Sequence, residues 1–567
     1  MKKLINNPRH IVREALEGLV DTTHHLALVD GENIVVQRDL PGLAARPVAV
    51  LSGGGSGHEP AHAGYVGIGM LTAAIAGDVF TSPSVDAVLA AIVSVAGPAG
   101  ALLVVKNYTG DRLNFGLAAE LAREKGIPVE IVLVADDVSL RDMVPTDRRR
   151  GIAGTVFVHK IAGAAAAKGW PLEKVAAIAA RAAAAVGSMG VGLGACTVPS
   201  AGTPSFSLGD TEIEYGLGIH GEKGVRRVDM KPADAIVDDI LAQILAEVPD
   251  NASRVALLVN GLGGTPPIEL QIIARHALAT LRAKGLTPTR AWVGNYMTAL
   301  EMPGCSLSVL PVDDELLELL DAPCGAPAWT HSGRINEQRT MVPVPSGLET
   351  NLASMPAGPL AATLERVAKG VAHALITAEA ELGELDAKAG DGDLGASMAR
   401  GGQAILDLAP EAFHTPGQFF ASAAQAMRRA IAGSSGPFYA VGLLRASREL
   451  GDLAAPSPTQ WQKAFAAAVD AVMEMGGAKA GDRTMVDALT AANNAWHAAL
   501  AAGAAGKEAF SQAVQAAEKA AEDTAHMQPR LGRASYLGER AVGIPDGGAV
   551  AVAYWLKALQ NGIKEIG

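Results

Sequence analysis

Between Arg46 and Val134 short apolar runs alternate with longer amphipathic stretches. Pro47-Val-Ala-Val-Leu51, Ala101-Leu-Leu-Val-Val105 and Val129 to Val134 read as buried strands, and the spacing predicts helices over Ser84–Val95 and Phe115–Lys125. Such alternation predicts a mostly parallel or mixed sheet with helices on its faces. An alanine-rich helix is expected from Pro171 to Val186, followed by a polar, glycine-rich loop from Gly187 to Gly224. A second alternating unit opens at Arg254, with a strand over Val255–Val259 and a turn from Asn260 to Pro267. A helix over Glu269–Lys284 and a strand over Arg290–Val293 complete it. From His331 to Gly358 the periodicity lapses into Pro, Gly, Ser and mixed charges, the signature of a linker. Helical runs separated by short breaks then fill the chain to its end. The expected fold is an α/β domain of two subdomains over 1–330, a linker over 331–358 and an all-α domain over 359–567.

Composition narrows the partners. A formal charge of -12 argues against general nucleic-acid binding, so a polyphosphate would have to be held by local donors and metal. Cys196, Cys305 and Cys324 are odd in number and form no CxxC pair, which points to a reducing, cytoplasmic setting. Met1-Lys-Lys runs into Asn-Asn-Pro without the apolar core of a signal peptide. The uncharged stretch Ala87–Val105 is broken by Gly97-Pro-Ala-Gly100, so no membrane span is expected.

Candidate chemistry lies in the breaks. In open α/β sheets ligands sit beyond the carboxyl ends of the strands. The loops Gly53-Gly-Gly-Ser-Gly-His58-Glu-Pro60 and Lys106-Asn-Tyr-Thr-Gly-Asp111 fall there. A dinucleotide fingerprint starting at Gly53 would need glycine where His58 stands, and no Gly-Lys-Ser/Thr triplet completes a Walker loop. What remains is a tight loop that can approach a small polar ligand, with an imidazole at its end. His220 lies between glycines in Tyr215-Gly-Leu-Gly-Ile-His220-Gly-Glu-Lys-Gly224, open either to nucleophilic attack on a carbonyl or to a hydrogen-bonding role. In the helical half, Asp386-Ala-Lys-Ala-Gly-Asp391-Gly-Asp393 gathers three carboxylates in one turn between helix-like runs, without an EF-hand's spacing. Oxygen-only donors suit magnesium, which also takes substrate phosphates, while a solvated turn capping a helix is the alternative. Gly433-Ser-Ser-Gly-Pro437, Gly481-Asp-Arg-Thr-Met485, Gly532 to Arg540 and Ile544-Pro-Asp546-Gly-Gly548 add hydroxyls, helix N-termini and cations. Together they are equipment for phosphoryl transfer without a Walker loop.

In combination and order, these motifs resemble the dihydroxyacetone kinases, in their fused, ATP-dependent form. Gly-Asn-Tyr-Met-Thr-Ala-Leu-Glu-Met-Pro-Gly-Cys-Ser-Leu at 294 to 307 and Gly-Arg-Ala-Ser-Tyr-Leu-Gly-Glu-Arg at 532 to 540 carry the resemblance further. It implies that the front half binds a short ketose and that His220 adds to its carbonyl as a covalent hemiaminal. Gly55, Ser56, Gly57 and Lys106 would hold the substrate, with His58 and Asp111 handling the hydroxyl proton. Asp386, Asp391 and Asp393 would bind two magnesium ions on ATP inside a helical barrel. Leu394, Gly395, Ala396, Ser397, Ser434, Ser435, Gly477, Met485, Arg533, Asp546 and Gly547 would surround the nucleotide. The family is commonly a homodimer, one subunit's nucleotide domain facing its partner's substrate domain. Substrates of the same chemistry are glyceraldehyde and tetruloses such as erythrulose, and some members cyclise FAD. A non-catalytic ketose sensor is the reading from a different class. Pro437 and Ala440 depart from the expected motif after Gly-Ser-Ser-Gly.

Overall fold

The computed structural model describes residues 2–345 and 356–564. The chain divides into two compact units, Met1–Met341 and Val342–Gly567. The expected linker over 331–358 therefore lies partly, at 346–355, outside the described residues.

The first unit holds two six-stranded sheets. Strands β1 (Leu26–Leu28), β2 (Ile34–Gln37), β3 (Ala49–Ser56), β4 (Ala73–Val79), β5 (Ala101–Lys106) and β6 (Val129–Val134) form the first, in the order β1-β2-β4-β3-β5-β6. Its β4-β3-β5-β6 core is parallel, and β1 and β2 add an antiparallel edge. Strands β7 (Gly187–Gly192), β8 (Glu212–Tyr215), β9 (Arg226–Asp229), β10 (Arg254–Gly261), β11 (Thr287–Gly294) and β12 (Gly304–Pro311) form the second, ordered β11-β10-β12-β7-β8-β9. Only its β10–β11 pair is parallel.

Strand alternation distributes the core among layers. Ala101, Leu103 and Val105 of β5 pack against α2 (Val85–Val95) and α3 (Thr109–Glu124). Leu102 and Val104 face the other way, in a core built on α4 (Thr155–Ala167) and α5 (Leu172–Ala185), with α1 (Ile11–Asp21) and α8 (Asp314–Asp321), that also takes in Ala256 and Leu258 of β10. Val255, Leu257 and Val259 turn to α6 (Ala233–Leu245) and α7 (Pro267–Ala283). The α4–α5 layer is thus shared by both sheets, which is why α4 is buried from Thr155 to Ala166, apolar or not.

Two expectations need correction here. The stretch 187–224 is not one loop: it contains β7 and β8, and β7 runs between β12 and β8. Its strand character is hidden because close packing demands small residues; a Cβ on Gly192 would overlap Leu217. Asp111 is not in a loop after β5 but in the first turn of α3.

The second unit is helical: α9 (Ala361–Thr377), α10 (Glu379–Ala389), α11 (Leu394–Leu406), α12 (Pro416–Ala430), α13 (Ser435–Leu450), α14 (Pro458–Gly476), α15 (Met485–Ala501), α16 (Gly506–Asp523) and α17 (Gly547–Lys564). Contacts run α9-α11-α12-α13-α14-α15-α16-α17 and back to α9, closing an eight-helix barrel with α10 laid against α11. A cavity of about 750 Å³, lined mostly by aliphatic and aromatic side chains, runs within this unit. Asp386, expected in a turn, sits on α10. Pro437 falls in the first turn of α13, where its missing N–H costs nothing, and Ala440 is buried.

Candidate active site

In the first unit the glycine loop ends β3 and is braced from the second sheet. The Asn260 side chain accepts from the N–H groups of Tyr296 and Met297, both at 2.8 Å, and so fixes the segment that follows. That segment clamps the loop: Thr298 N–H donates to His58 O at 3.1 Å, and Leu300 N–H to Gly57 O at 2.7 Å. The carbonyl of Thr298 lies 2.7 Å from Nδ1 of His58. A carbonyl only accepts, so Nδ1 carries the proton and Nε2 keeps its lone pair. Nε2 is buried and has no protein partner. Burial, then the charges of His220 and Lys106, hold the His58 pKa well below the ordinary imidazole value. It is a neutral base at neutral pH.

His220 meets His58 with ring centroids 4.9 Å apart, and Phe80 and Tyr108 pack edge-on against it. Its Nδ1 is 2.9 Å from Oε1 of Glu222, whose Oε2 accepts from the His220 backbone N–H. A carboxylate also only accepts, so Nδ1 of His220 carries a proton and its Nε2 is the nitrogen not engaged by Glu222. Burial alone would raise the Glu222 carboxyl, but its bond and charge interaction with His220 outweigh that and bring it down to about 2. Arg150 ties the same turn by bonding Gly216 O at 2.6 Å and Asp137 at 2.9 Å.

Under the loop lies a buried charge pair. Lys106 Nζ is 3.8 Å from Oδ2 of Asp111, and Ser82 donates to the other carboxylate oxygen. A Cβ on Gly54, at φ +151, would overlap the Lys106 nitrogen, so the loop can lie this close only as glycine. Burial lowers the Lys106 pKa and the Asp111 charge works against the shift. Ser56 turns its hydroxyl to Gly77 O at 2.7 Å, Gly55 packs on the backbone of Phe80 and Thr81, and Gly57 donates to Glu59 at 3.1 Å. The predicted residues Gly55, Ser56, Gly57, His58, Lys106, Asp111 and His220 therefore collect around one loop. Sequence reasoning gave no role to Glu222, Phe80 or Tyr108; the two-residue offset of Glu222 from His220, inside a glycine-flanked turn, was its only signal.

In the second unit one oxygen each from Asp386, Asp391 and Asp393 lies within 4.8 Å of the others. Two carboxylates at about 4 Å repel by roughly 4 kcal/mol at an effective dielectric near 20, so this donor set fits a hard divalent cation. The Leu394 N–H donates to Asp386 at 3.3 Å. A Cβ on Gly547 would meet Leu394, and one on Gly548 would lie 3.3 Å from the Met485 side chain, so the starts of α11, α15 and α17 converge. Helix N-termini present free N–H groups and positive dipole ends suited to phosphate. Asp546 accepts from Ala549 N–H at 2.8 Å; burial pushes its pKa up to about 6, with Asp487 and Asp386 adding to the shift. Tyr439 on α13 packs in the same apolar cluster as Leu394 and Val550, which brings the helix that Ser434 and Ser435 begin toward the same end. Gly477 caps α14 in the left-handed region, Gly395 packs against Glu379 and Gly383, and Ser397 accepts from Arg400 at 2.9 Å. Ala396 occupies the first turn of α11 between them. The Arg533 side chain lies outside what the structure describes. Arg483, not predicted as a site residue, is buried and donates to Ala541 O at 3.0 Å and Ile544 O at 2.7 Å, holding the approach to Asp546. It lies within the Gly-Asp-Arg-Thr-Met motif, which was its signal.

Comparison with known proteins agrees with this division. Residues 17–328 match the Dak1 domain family and residues 388–561 the DAK2 domain family. The chain belongs to the dihydroxyacetone kinase family, in the form that carries both domains on one chain. It is 43% identical to the human triokinase/FMN cyclase, over 98% of each chain. It is 36% identical to the L-erythrulose kinase of Pectobacterium atrosepticum, over 99% of this chain and 96% of that one. The crystal structure of the dihydroxyacetone kinase from C. freundii in complex with AMP-PNP and Mg2+ matches with a TM-score of 0.64 and 35% identity, over 99% of both chains. No helix among the described residues is long and apolar enough to cross a membrane.

Proposed function

We propose that the protein transfers the terminal phosphate of magnesium-ATP to the primary hydroxyl of dihydroxyacetone. The observation that carries this is the pairing of two imidazoles, His58 and His220, each with its Nδ1 tied to a fixed acceptor so that Nε2 is the nitrogen left over, at a loop that also buries Lys106 against Asp111. Residues 1–330 hold the ketose and 359–567 the nucleotide. Nε2 of His220 adds to the ketose carbonyl carbon as the C–O π bond opens, the oxygen takes up a proton and Nδ1 yields its own toward Glu222. This fixes the substrate as a hemiaminal and selects against glycerol, which has no carbonyl. His58 and Asp111 handle the proton of the hydroxyl that is phosphorylated, Nε2 of His58 being the unengaged acceptor that receives it, and Lys106 with the Gly55–Gly57 backbone holds the substrate.

Asp386, Asp391 and Asp393 bind two magnesium ions; bound there, the metal neutralises phosphate charge and aligns the transferring group. Leu394 to Ser397, Ser434, Ser435, Gly477, Met485, Arg533, Asp546 and Gly547 surround the nucleotide. The protein acts as a cytoplasmic homodimer. The AMP-PNP and Mg2+ held by the C. freundii kinase support the nucleotide and metal assignment.

A second reading, a kinase for glyceraldehyde or a tetrulose, is favoured by the erythrulose kinase and triokinase relatives. The likeness to the human triokinase/FMN cyclase also supports testing FAD cyclisation at the nucleotide site. The acidic cluster speaks against a non-catalytic sensor. The test is turnover with magnesium-ATP across dihydroxyacetone, glyceraldehyde, both erythruloses and glycerol, with mass spectrometry of His220 for a ketose adduct. The highest kcat/KM for dihydroxyacetone together with the adduct is the expected result, and a preference for a tetrulose overturns the substrate.

A further inference from the structure

Behind the Lys106–Asp111 pair lies a chain of buried groups that the proposed reaction does not use. Lys106 Nζ is 2.9 Å from Nε2 of His62, and Nδ1 of His62 is 3.0 Å from Nε2 of His159 on α4. Ser52 Oγ donates to Val104 O at 2.7 Å and stands 3.4 Å from the same Nδ1. All four side chains are buried.

The donors and acceptors can be ordered in one direction. An ammonium has only protons to offer, so Nε2 of His62 accepts and Nδ1 carries the hydrogen. That hydrogen points to Nε2 of His159, which must then hold its own proton on Nδ1. The Nδ1 atom of His159 is buried and finds no protein partner. Leaving a buried N–H unmatched is costly, and a chain of packing residues alone would not require it. Burial and the Lys106 charge keep both imidazoles neutral, as the ordering demands.

We propose that His62 is a positioning residue for the ketose site: its Nε2 lone pair holds the Lys106 ammonium under Gly54 and against Asp111, and His159 fixes the tautomer in which it can do so. The proposal rests on the reading of this loop as the ketose site. The groups facing Lys106 are Asp111 from α3, His58 and His62 from the segment after β3, and His159 from α4. Of these, His62 supplies a neutral acceptor at 2.9 Å, closer than the Gly53 carbonyl, which lies 3.5 Å from the same nitrogen.

Two measurements test it. In His62→Leu the KM for dihydroxyacetone should rise about tenfold or more, since a charge-assisted bond is lost, while the KM for ATP stays within about twofold. His62→Gln, whose Oε1 can stand where Nε2 was, should bring the ketose KM back to within about threefold of wild type. Removing an acceptor from a buried ammonium disfavours the charged form, so the alkaline limb of kcat/KM should move to lower pH in the leucine variant and stay in place in the glutamine variant. Equal rises in both KM values, or a glutamine variant no better than leucine, would overturn the proposal.

The second measurement needs neither turnover nor the leucine variant: histidine 15N NMR of the full-length protein at neutral pH. His62 should be neutral with its proton on Nδ1, and its Nε2 signal should move in Lys106→Met. An imidazolium, an Nε2-protonated ring or an unmoved signal rejects the arrangement. A wild-type protein without ketose turnover would instead reject the activity proposed above, and the NMR result would still judge the place of His62.

Discussion

His220 donates from Nδ1 to Glu222, 2.9 Å away, and this bond decides that Nε2 is the ring nitrogen left over. Glu222→Gln keeps the size but can present its amide nitrogen to the ring. The KM for dihydroxyacetone should then rise by roughly tenfold, the worth of one charge-assisted bond, and the hemiaminal yield in mass spectrometry should fall with it. An unchanged adduct yield would separate Glu222 from the nucleophile.

Gly54 is where backbone and ammonium come closest. Gly54→Ala forces either the loop or Lys106 to move, because the added carbon overlaps Nζ. The expected outcome is a loss of ketose turnover of about a hundredfold, comparable to removing a positioned acid–base group, with ATP binding by calorimetry unaltered.

The acidic cluster should be indispensable for turnover. Asp391→Ala should reduce activity by at least about a thousandfold at any magnesium concentration, as expected for loss of a metal that neutralises phosphate charge. Full magnesium-dependent activity in that variant would remove the cluster from the site.

Asp546 makes stability depend on pH. Its carboxyl is raised from 3.8 to about 6 by burial, so its contribution is complete below 3.8 and is lost as pH rises through 6. Asp546→Asn can keep the bond from Ala549 without charging. Without divalent cation it should be more stable than wild type by about 3 kcal/mol at pH 7, and the gap should close as pH falls to 4. Denaturant melts of the two proteins at a series of pH values measure it.

Arg483 holds the carbonyls of Ala541 and Ile544 from a left-handed backbone position, φ 62. Arg483→Met should raise the KM for ATP by roughly tenfold, since two charged hydrogen bonds go, and leave the ketose KM unaltered. Parallel changes in both would mean the variant is merely unstable.

The chain's periodicity determined a good deal by itself. Strands at 101–106 and 129–134, helices at 85–95 and 172–185, and the passage from α/β to all-α follow from local patterns of apolar residues, and those patterns were read within a residue or two. The motif residues were equally legible, because glycines beside His, Asp and Lys stand out in any sequence. Packing over long separations decided the rest. β7 is a strand because β12 and β8 pair on either side of it and Gly192 leaves room for Leu217, which no window of sequence records. Which nitrogen of His58 holds its proton depends on a carbonyl 240 positions away, and the partner of Lys106 depends on a helix shared by both sheets. Period and composition fix which way a side chain faces along its own element; what it meets there is set by how the elements stack.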